Sequence, residues 1–281
     1  MVWRPLRSLP SAPHEPLPTT WLGRITDALA DPSYDRVRLC RDTLCELAYP
    51  TYASDWESAV MDESLPLGTR LALSALDSRN VTLEPEYYAE CDDARFQPVK
   101  PLLWLWYSFD RLPPGGQNVD LGVKLRRVLA QHIFKRCGKN FKCFQNVEFS
   151  FGYNLEVGDN VVVHRHVLLD DRGGIVLGDG VSVSDYANIY SHTHSIIEQK
   201  DVTDALTVLE PGVRITYHAT VLAGVRVGEQ SMVGACALAT KDVRPYHVNV
   251  GIPAKSVRVK PNAPFPAEVL STTKERGQEK R

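Results

Sequence analysis

Two histidines, His192 and His194, close the run IYSHTH at residues 189–194. Imidazole ionises nearer neutrality than other side chains, so a histidine whose backbone is fixed can serve as a general base toward a hydroxyl. The stretch that follows, Ser195–Pro211, has no regular pattern and can fold over such a site. On residue type alone both histidines read equally as solvated loop side chains. Asp170 and Asp171 stand just before Gly173 and Gly174, and carboxylates beside glycines are ordinarily solvated turn residues. Lys241, Lys255 and Arg258 are cations that can meet phosphate, although scattered cations on a neutral chain are usually only hydrated. Six cysteines, at 40, 45, 91, 137, 143 and 236, form neither a CxxC pair nor zinc-finger spacing and read as reduced structural thiols. Cys236, flanked by alanines, reads as packing and not as a nucleophile.

The elements that position these residues are short. From about Lys139 the helical period disappears and a period of six replaces it. Stepping by six from Val157 reaches Val163 and Leu169; from Leu177, Val183 and Ile189; from Ile215, Val221, Val227, Val233 and Ala239. All are aliphatic. Four residues after each stands a small or β-branched residue, among them Val161, Gly173, Ala187, Thr193, Ala219 and Ala237. A sustained period of six fits a parallel β-solenoid. Each hexapeptide is one flat strand plus a corner, three close a triangular coil, and the aliphatic residues stack along the axis. Glycines 158, 178, 228 and 234 directly follow axial positions, where a corner favours a backbone without side-chain bulk. A β-sandwich would instead alternate with period two.

The preceding region has helical texture. Tyr34–Ala48, Pro66–Leu76 and Lys124–Cys137 carry apolar residues at helical spacing, with Asp31–Pro32 as a cap and first turn. Trp104, Trp106, Tyr107 and Phe109 are expected to bury an N-terminal core or seat that region on the solenoid, with a sugar-stacking platform as the alternative. The expected organisation is an extended Pro-rich arm (1–20), a mainly helical region (21–138), a β-helix (139–258) with an excursion at 195–211, and a polar tail (259–281).

Composition excludes several classes. The longest apolar stretch, Pro101–Tyr107, is far short of the roughly 20 residues a membrane span requires. The 32 basic residues nearly balance 34 acidic ones and are dispersed, which leaves no electrostatic footprint for nucleic acid or an anionic membrane. The first residues break into prolines without an apolar h-region, so the expected location is the cytoplasm. Residues 1–136 have no Gly-rich nucleotide loop after a strand, which argues against a nucleotidyltransferase.

The segment Ile215–Arg258, ITYHATVLAGVRVGEQSMVGACALATKDVRPYHVNVGIPAKSVR, resembles the last hexapeptides and the closing T-K-D and G-x-P-A-K-x-V-R pattern of the hexapeptide-repeat acyltransferases. These are the left-handed parallel β-helix group that includes maltose, galactoside and nodulation-factor acetyltransferases. Residues 168–195, LLDDRGGIVLGDGVSVSDYANIYSHTHS, resemble that group's acidic-glycine turn and histidine segment. The resemblance covers about residues 139–260. It implies a mainly β fold, a homotrimer with sites between subunits, and acetyl-CoA or another acyl-CoA as co-substrate with no metal. It also implies direct transfer to a hydroxyl of a sugar or other small acceptor. By the same resemblance His194 is the catalytic base, Asp171 and His192 face the acceptor, and coenzyme A runs along Ala235, Thr240, Lys241, Lys255 and Arg258. Three positions depart from the pattern. Val163 replaces an acceptor-binding asparagine, Arg214 a common tryptophan, and Tyr217 a small residue near the pantetheine track.

Two other readings remain. His164, His166, His192, His194 and His218 could carry zinc, as in the γ-carbonic anhydrases built on the same prism, although the pairs here are two apart where that group has five. A catalytically silent trimeric scaffold would also have a solenoid, but has no need of His194 or the TKD and PAKSVR ending.

Overall fold

The structure, a computed structural model, describes residues 14, 16–198 and 200–264. The expected arm up to residue 13 and the expected tail from 265 onward lie outside the described residues. Among the described residues eight α-helices come first: α1 (Pro16–Ala30), α2 (Arg36–Ala48), α3 (Trp56–Met61), α4 (Leu67–Ser74), α5 (Pro85–Glu90), α6 (Asp93–Asp110), α7 (Pro113–Gln117) and α8 (Val119–Ile133). Residues 16–20 are therefore helical and not part of an extended arm. The cap expected at Asp31–Pro32 falls instead at Asp35, whose carboxylate accepts the amides of Val37 and Arg38. The longest helix of the described residues, α6, runs through Pro98 and Pro101, residues whose presence in the sequence argues against a helix interior.

The helix read as Lys124–Cys137 starts earlier, where the Asn118 side chain accepts the Leu121 amide, and stops at Ile133. Phe134 takes extended backbone (φ −77°, ψ 149°) and packs its ring among Trp106, Phe141 and Phe149. Cys137 already belongs to the first strand of the solenoid.

That solenoid has three parallel sheets. Arg136–Cys137, Leu155–Val157, Ile175–Leu177, Thr207–Leu209 and Arg226–Val227 form the first. Lys142–Cys143, Val162–Val163, Ser182–Val183, Arg214–Ile215, Met232–Val233 and His247–Val250 form the second, closed by the antiparallel strand Lys255–Val259. Glu148–Phe149, Leu168–Asp170, Asn188–Tyr190, Thr220–Val221 and Leu238–Ala239 form the third. Every axial residue read from the six-residue period, from Val157 to Ala239, is at most 1% exposed. The corners are equally demanding. A Cβ on Gly228 would stand 2.5 Å from the Pro245 nitrogen, and one on Gly178 2.7 Å from the Pro211 nitrogen, because the next coil's backbone stacks directly above.

The structure moves both ends of the interruption. Thr207–Leu209 pairs in register with Ile175–Leu177 and Arg226–Val227, and Leu209 is fully buried, so the solenoid has resumed before Pro211. Its other end precedes Ser195: His192–His194 pairs antiparallel with Val202–Asp204 as a projecting hairpin, leaving Thr193 exposed and not at a corner. The first coil, from Arg136, escaped the period because Phe141, Cys143, Val147 and Phe149 fill it in place of a uniform aliphatic column.

Helices and solenoid share one core. Trp106 is fully buried and donates from Nε1 to the Val147 carbonyl at 3.3 Å, while the Tyr107 hydroxyl donates to the Phe149 carbonyl at 2.9 Å. The aromatic run therefore seats α6 on the first coil. A buried ion pair between Asp110 and Arg126 continues the seam: Asp110 accepts the Asn146 amide at 2.7 Å and Arg126 donates to the Cys143 carbonyl at 3.2 Å. No helix among the described residues is long and apolar enough to cross a membrane.

Candidate active site

The site is built where the hairpin leaves the third coil. Ser191, the residue before His192, is buried; its Oγ donates to the Asp170 carbonyl at 2.5 Å and accepts the Gly173 amide at 2.9 Å. The Ala205 amide donates to the Ser191 carbonyl at 2.8 Å and closes the hairpin's base. Only glycine fits at 173, where a Cβ would lie 2.3 Å from the Ser191 oxygen and 2.6 Å from the Ala205 nitrogen. The backbone beneath the two histidines is thus held by buried contacts on both sides.

The turn Asp170–Arg172 sends three charged side chains three ways. Asp170 is 3% exposed; it accepts a 2.8 Å hydrogen bond from Ser150 Oγ and makes a close contact with Nδ1 of His192. Asp171 is fully buried, and its carboxylate accepts the amides of Phe151 at 2.8 Å and Asn154 at 3.1 Å. Arg172 reaches back to the helical region, to Glu86 at 2.5 Å and Glu90 at 3.3 Å, with its guanidinium 5.1 Å from the Tyr87 ring centroid. The turn carboxylates are therefore neither solvated nor equivalent. Asp171 was expected to face the acceptor, but every contact it makes is with the backbone that shapes the turn, and the carboxylate beside the histidine is Asp170.

Glu86 completes the group. It lies on α5, which Tyr87 seats edge-on against Phe151 at 5.9 Å, and its Oε1 is 3.4 Å from Nε2 of His194. The two imidazoles sit perpendicular, with centroids 5.3 Å apart. The Arg172 hydrogen bond holds the Glu86 carboxyl below the usual carboxylate range, whereas burial raises that of Glu90. Burial pushes the pKa of His192 down, more than the neighbouring Asp170 pulls it up, which keeps the ring neutral near pH 7. An imidazole that is neutral, held in place and still partly open to solvent can accept a proton. Glu86, Glu90 and Arg172 were invisible to sequence reading, because nothing in the PEYYAE run ties it to a histidine more than a hundred positions away.

The residues expected to bind the cofactor do not gather around His194 within one chain. Ala235 lies at the corner between the second and third sheets, and Lys255 joins it there, since the Ala254 amide donates to the Leu238 carbonyl. Thr240 and Lys241 lie at the next corner, on the hairpin's edge but two coils further on, and Arg258 lies on the closing strand opposite Val248. All five are exposed.

The three departures have distinct settings. Val163 is an axial core residue; Arg214 points outward from the second sheet; Tyr217 stands edge-on to His218, with ring centroids 4.1 Å apart. His166 and His218 stack on the two faces of Tyr186 at 4.7 and 4.9 Å, and His164 stacks on Phe144 at 5.0 Å. Cys236 continues this corner with φ 57° and is exposed, not packed.

No family model matches the chain. Its sequence is 25% identical over 158 residues to galactoside O-acetyltransferase of Escherichia coli K12, covering 55% of this chain and 75% of that protein. Among solved structures, a maltose O-acetyltransferase from Clostridium difficile 630 aligns with TM-score 0.52 at 23% identity, over 59% of this chain and 87% of that one. A hexapeptide-repeat acetyltransferase from Vibrio cholerae O1 biovar eltor, solved with acetyl coenzyme A, aligns with TM-score 0.52 at 22% identity, again over 59% of this chain and 87% of that one. The solenoid therefore has the fold of the hexapeptide-repeat acetyltransferases, as its repeats lead one to expect.

Proposed function

We propose, from this likeness to the hexapeptide-repeat acetyltransferases, that the protein is a CoA-dependent O-acyltransferase that moves an acyl group, most simply acetyl, to a hydroxyl of a sugar or other small acceptor. The observation that carries the proposal is the ordered imidazole pair at the solenoid edge, with Asp170 against His192 and Glu86 against His194.

A thioester is already activated, so the main deficit is a weakly nucleophilic hydroxyl, and one positioned base suffices. In this reading His194 takes the hydroxyl proton as the acceptor oxygen attacks the thioester carbonyl. A backbone amide stabilises the oxyanion, and the proton leaves with the departing thiol of coenzyme A. No acyl-enzyme forms. His192, oriented by Asp170, faces the acceptor; Glu86 keeps the His194 ring in place. Asp171 holds the turn from below and does not touch substrate.

Coenzyme A is read along Ala235, Thr240, Lys241, Lys255 and Arg258, with the cations toward its phosphates. These residues occupy a different stretch of the solenoid from His194, which supports a homotrimer in which a neighbouring subunit brings the cofactor track to the histidines. Incubating the protein with acetyl-CoA and a panel of sugars and amino sugars, then searching by mass spectrometry for an acetylated product, tests the activity. Absence of any protein-dependent product across acyl-CoA donors and acceptors refutes it.

A further inference from the structure

Among the described residues one grouping has the donor set of a transition-metal site: a ring nitrogen from each of His192 and His194 and a carboxylate oxygen of Glu86, all within 4.8 Å of one another. We propose that this trio binds one divalent ion of the zinc type and that the ion silences acyl transfer by occupying the base. The second half rests on the reading of His194 as that base.

Four features of the site support the inference. First, two ligands each about 2.0–2.1 Å from a tetrahedral zinc stand roughly 3.3–3.4 Å apart, and Glu86 Oε1 and His194 Nε2 are separated by 3.4 Å. Second, the Asp170 carboxylate contacts Nδ1 of His192, the outer-shell arrangement that fixes a metal-binding imidazole and leaves Nε2 for the ion. Third, Glu86 can be released by its present partner. Arg172 also lies 3.3 Å from Glu90 and 3.4 Å from Asp170, and its buried Nε makes no hydrogen bond, so the guanidinium keeps two carboxylates when Glu86 turns to an ion. Fourth, Asp170, Glu86 and Glu90 outnumber the single guanidinium among them, a surplus of negative charge that favours a dication. Two imidazoles and a carboxylate suit a borderline ion such as zinc and leave a fourth position open. The remaining described histidines of the solenoid form no such trio: His164, His166 and His218 are stacked on aromatic rings, and Nδ1 of His247 lies 2.5 Å from Ser256 Oγ.

The test uses the full chain without an affinity tag, stripped by a chelator and titrated with Co²⁺ while the visible bands of tetrahedral cobalt are followed. We expect saturation at one equivalent, displacement by Zn²⁺, and loss of the bands in His192→Ala. Asp170→Asn should weaken binding by about 10–100-fold, and His164→Ala should bind like wild type. Glu86→Gln alters an exposed side chain outside the core, so its weakened binding reads the site independently of folding. Acyl transfer should fall with the same Zn²⁺ midpoint as cobalt displacement. Absence of stoichiometric bands in wild type, or their survival unchanged in either His192→Ala or His194→Ala, overturns the site. Full occupancy with undiminished transfer overturns the silencing. Failure of the base reading would appear differently, as normal turnover of metal-free His194→Ala, and would leave the cobalt result standing.

Discussion

Oε1 of Glu86 lies 3.4 Å from Nε2 of His194, so a helix of the N-terminal region reaches the edge of the solenoid where the paired histidines project. The same carboxylate accepts from Arg172, which the buried corner between the second and third coils supplies. The helical region is therefore part of the candidate site and not merely attached to it.

Glu86 positions a ring and does not meet substrate in this account. Glu86→Gln should lower kcat by about tenfold while leaving the KM for acyl-CoA unchanged, since the general base it orients contributes about 10²–10⁴-fold. Glu86→Asp should restore part of the loss. Steady-state kinetics of the three proteins decide it: a change confined to KM would place Glu86 in cofactor binding.

Corner packing should separate two glycines sharply. In Gly228→Ala the new methyl meets backbone, the Pro245 nitrogen at 2.5 Å and the Val243 carbonyl at 2.8 Å, which cannot yield like a side chain. Overpacking of this kind costs about 1–3 kcal/mol or more. Gly23→Ala, on α1 with open space around it, should instead gain up to about 1 kcal/mol from helix propensity. Urea unfolding measures both, and equal effects would contradict the stacked-corner geometry.

The six-residue column named the solenoid, its axis and its corner glycines, because a repeat that stacks on itself writes its geometry into every coil. Where one coil differs from the rest, that signal fails. Leu209 belongs to the column but follows an irregular hairpin, so the sequence pattern of its coil resembles a loop; in the Phe141–Phe149 coil, aromatic residues that join it to α6 replace the aliphatic column. His192 and His194 were visible as a pair, yet the choice between Asp170 and Asp171 depends on which way a strand-end side chain points. Glu86 and Arg172 meet only through tertiary packing.

Acidity should act on His192 and Asp171 with opposite sign. Burial lowers the pKa of His192 in the folded protein, so its neutral form favours folding above the unfolded value of about 6.5, and this contribution is lost as pH falls through the depressed folded value. Burial raises Asp171 from 3.8 to about 6; its contribution is complete below 3.8 and is lost as pH rises through about 6. Unfolding free energies across about pH 4–7, each extrapolated linearly from denaturant unfolding, should therefore lose their downward Asp171 component in Asp171→Asn. An unchanged pH slope in that variant would show that Asp171 does not titrate in this window.

Lys255, exposed at the start of the closing strand opposite Val250, is read as a phosphate contact. A charge-assisted contact contributes about 1.5–3 kcal/mol when partly desolvated and less when exposed. Lys255→Glu should accordingly raise the KM for acyl-CoA by roughly tenfold and leave that for the acceptor nearly alone. A selective loss of acceptor affinity would assign this corner to the other substrate.

The central claim, that His194 is the base of an acyl transfer, is tested most directly by the turnover number of metal-free His194→Ala at saturating acyl-CoA and acceptor. The account predicts a fall of about 10²–10⁴-fold with the KM for acyl-CoA preserved, and a much smaller loss for His192→Ala. Near-normal turnover of His194→Ala beside an inactive His192→Ala would move the base two residues upstream, and near-normal turnover of both would contradict the mechanism.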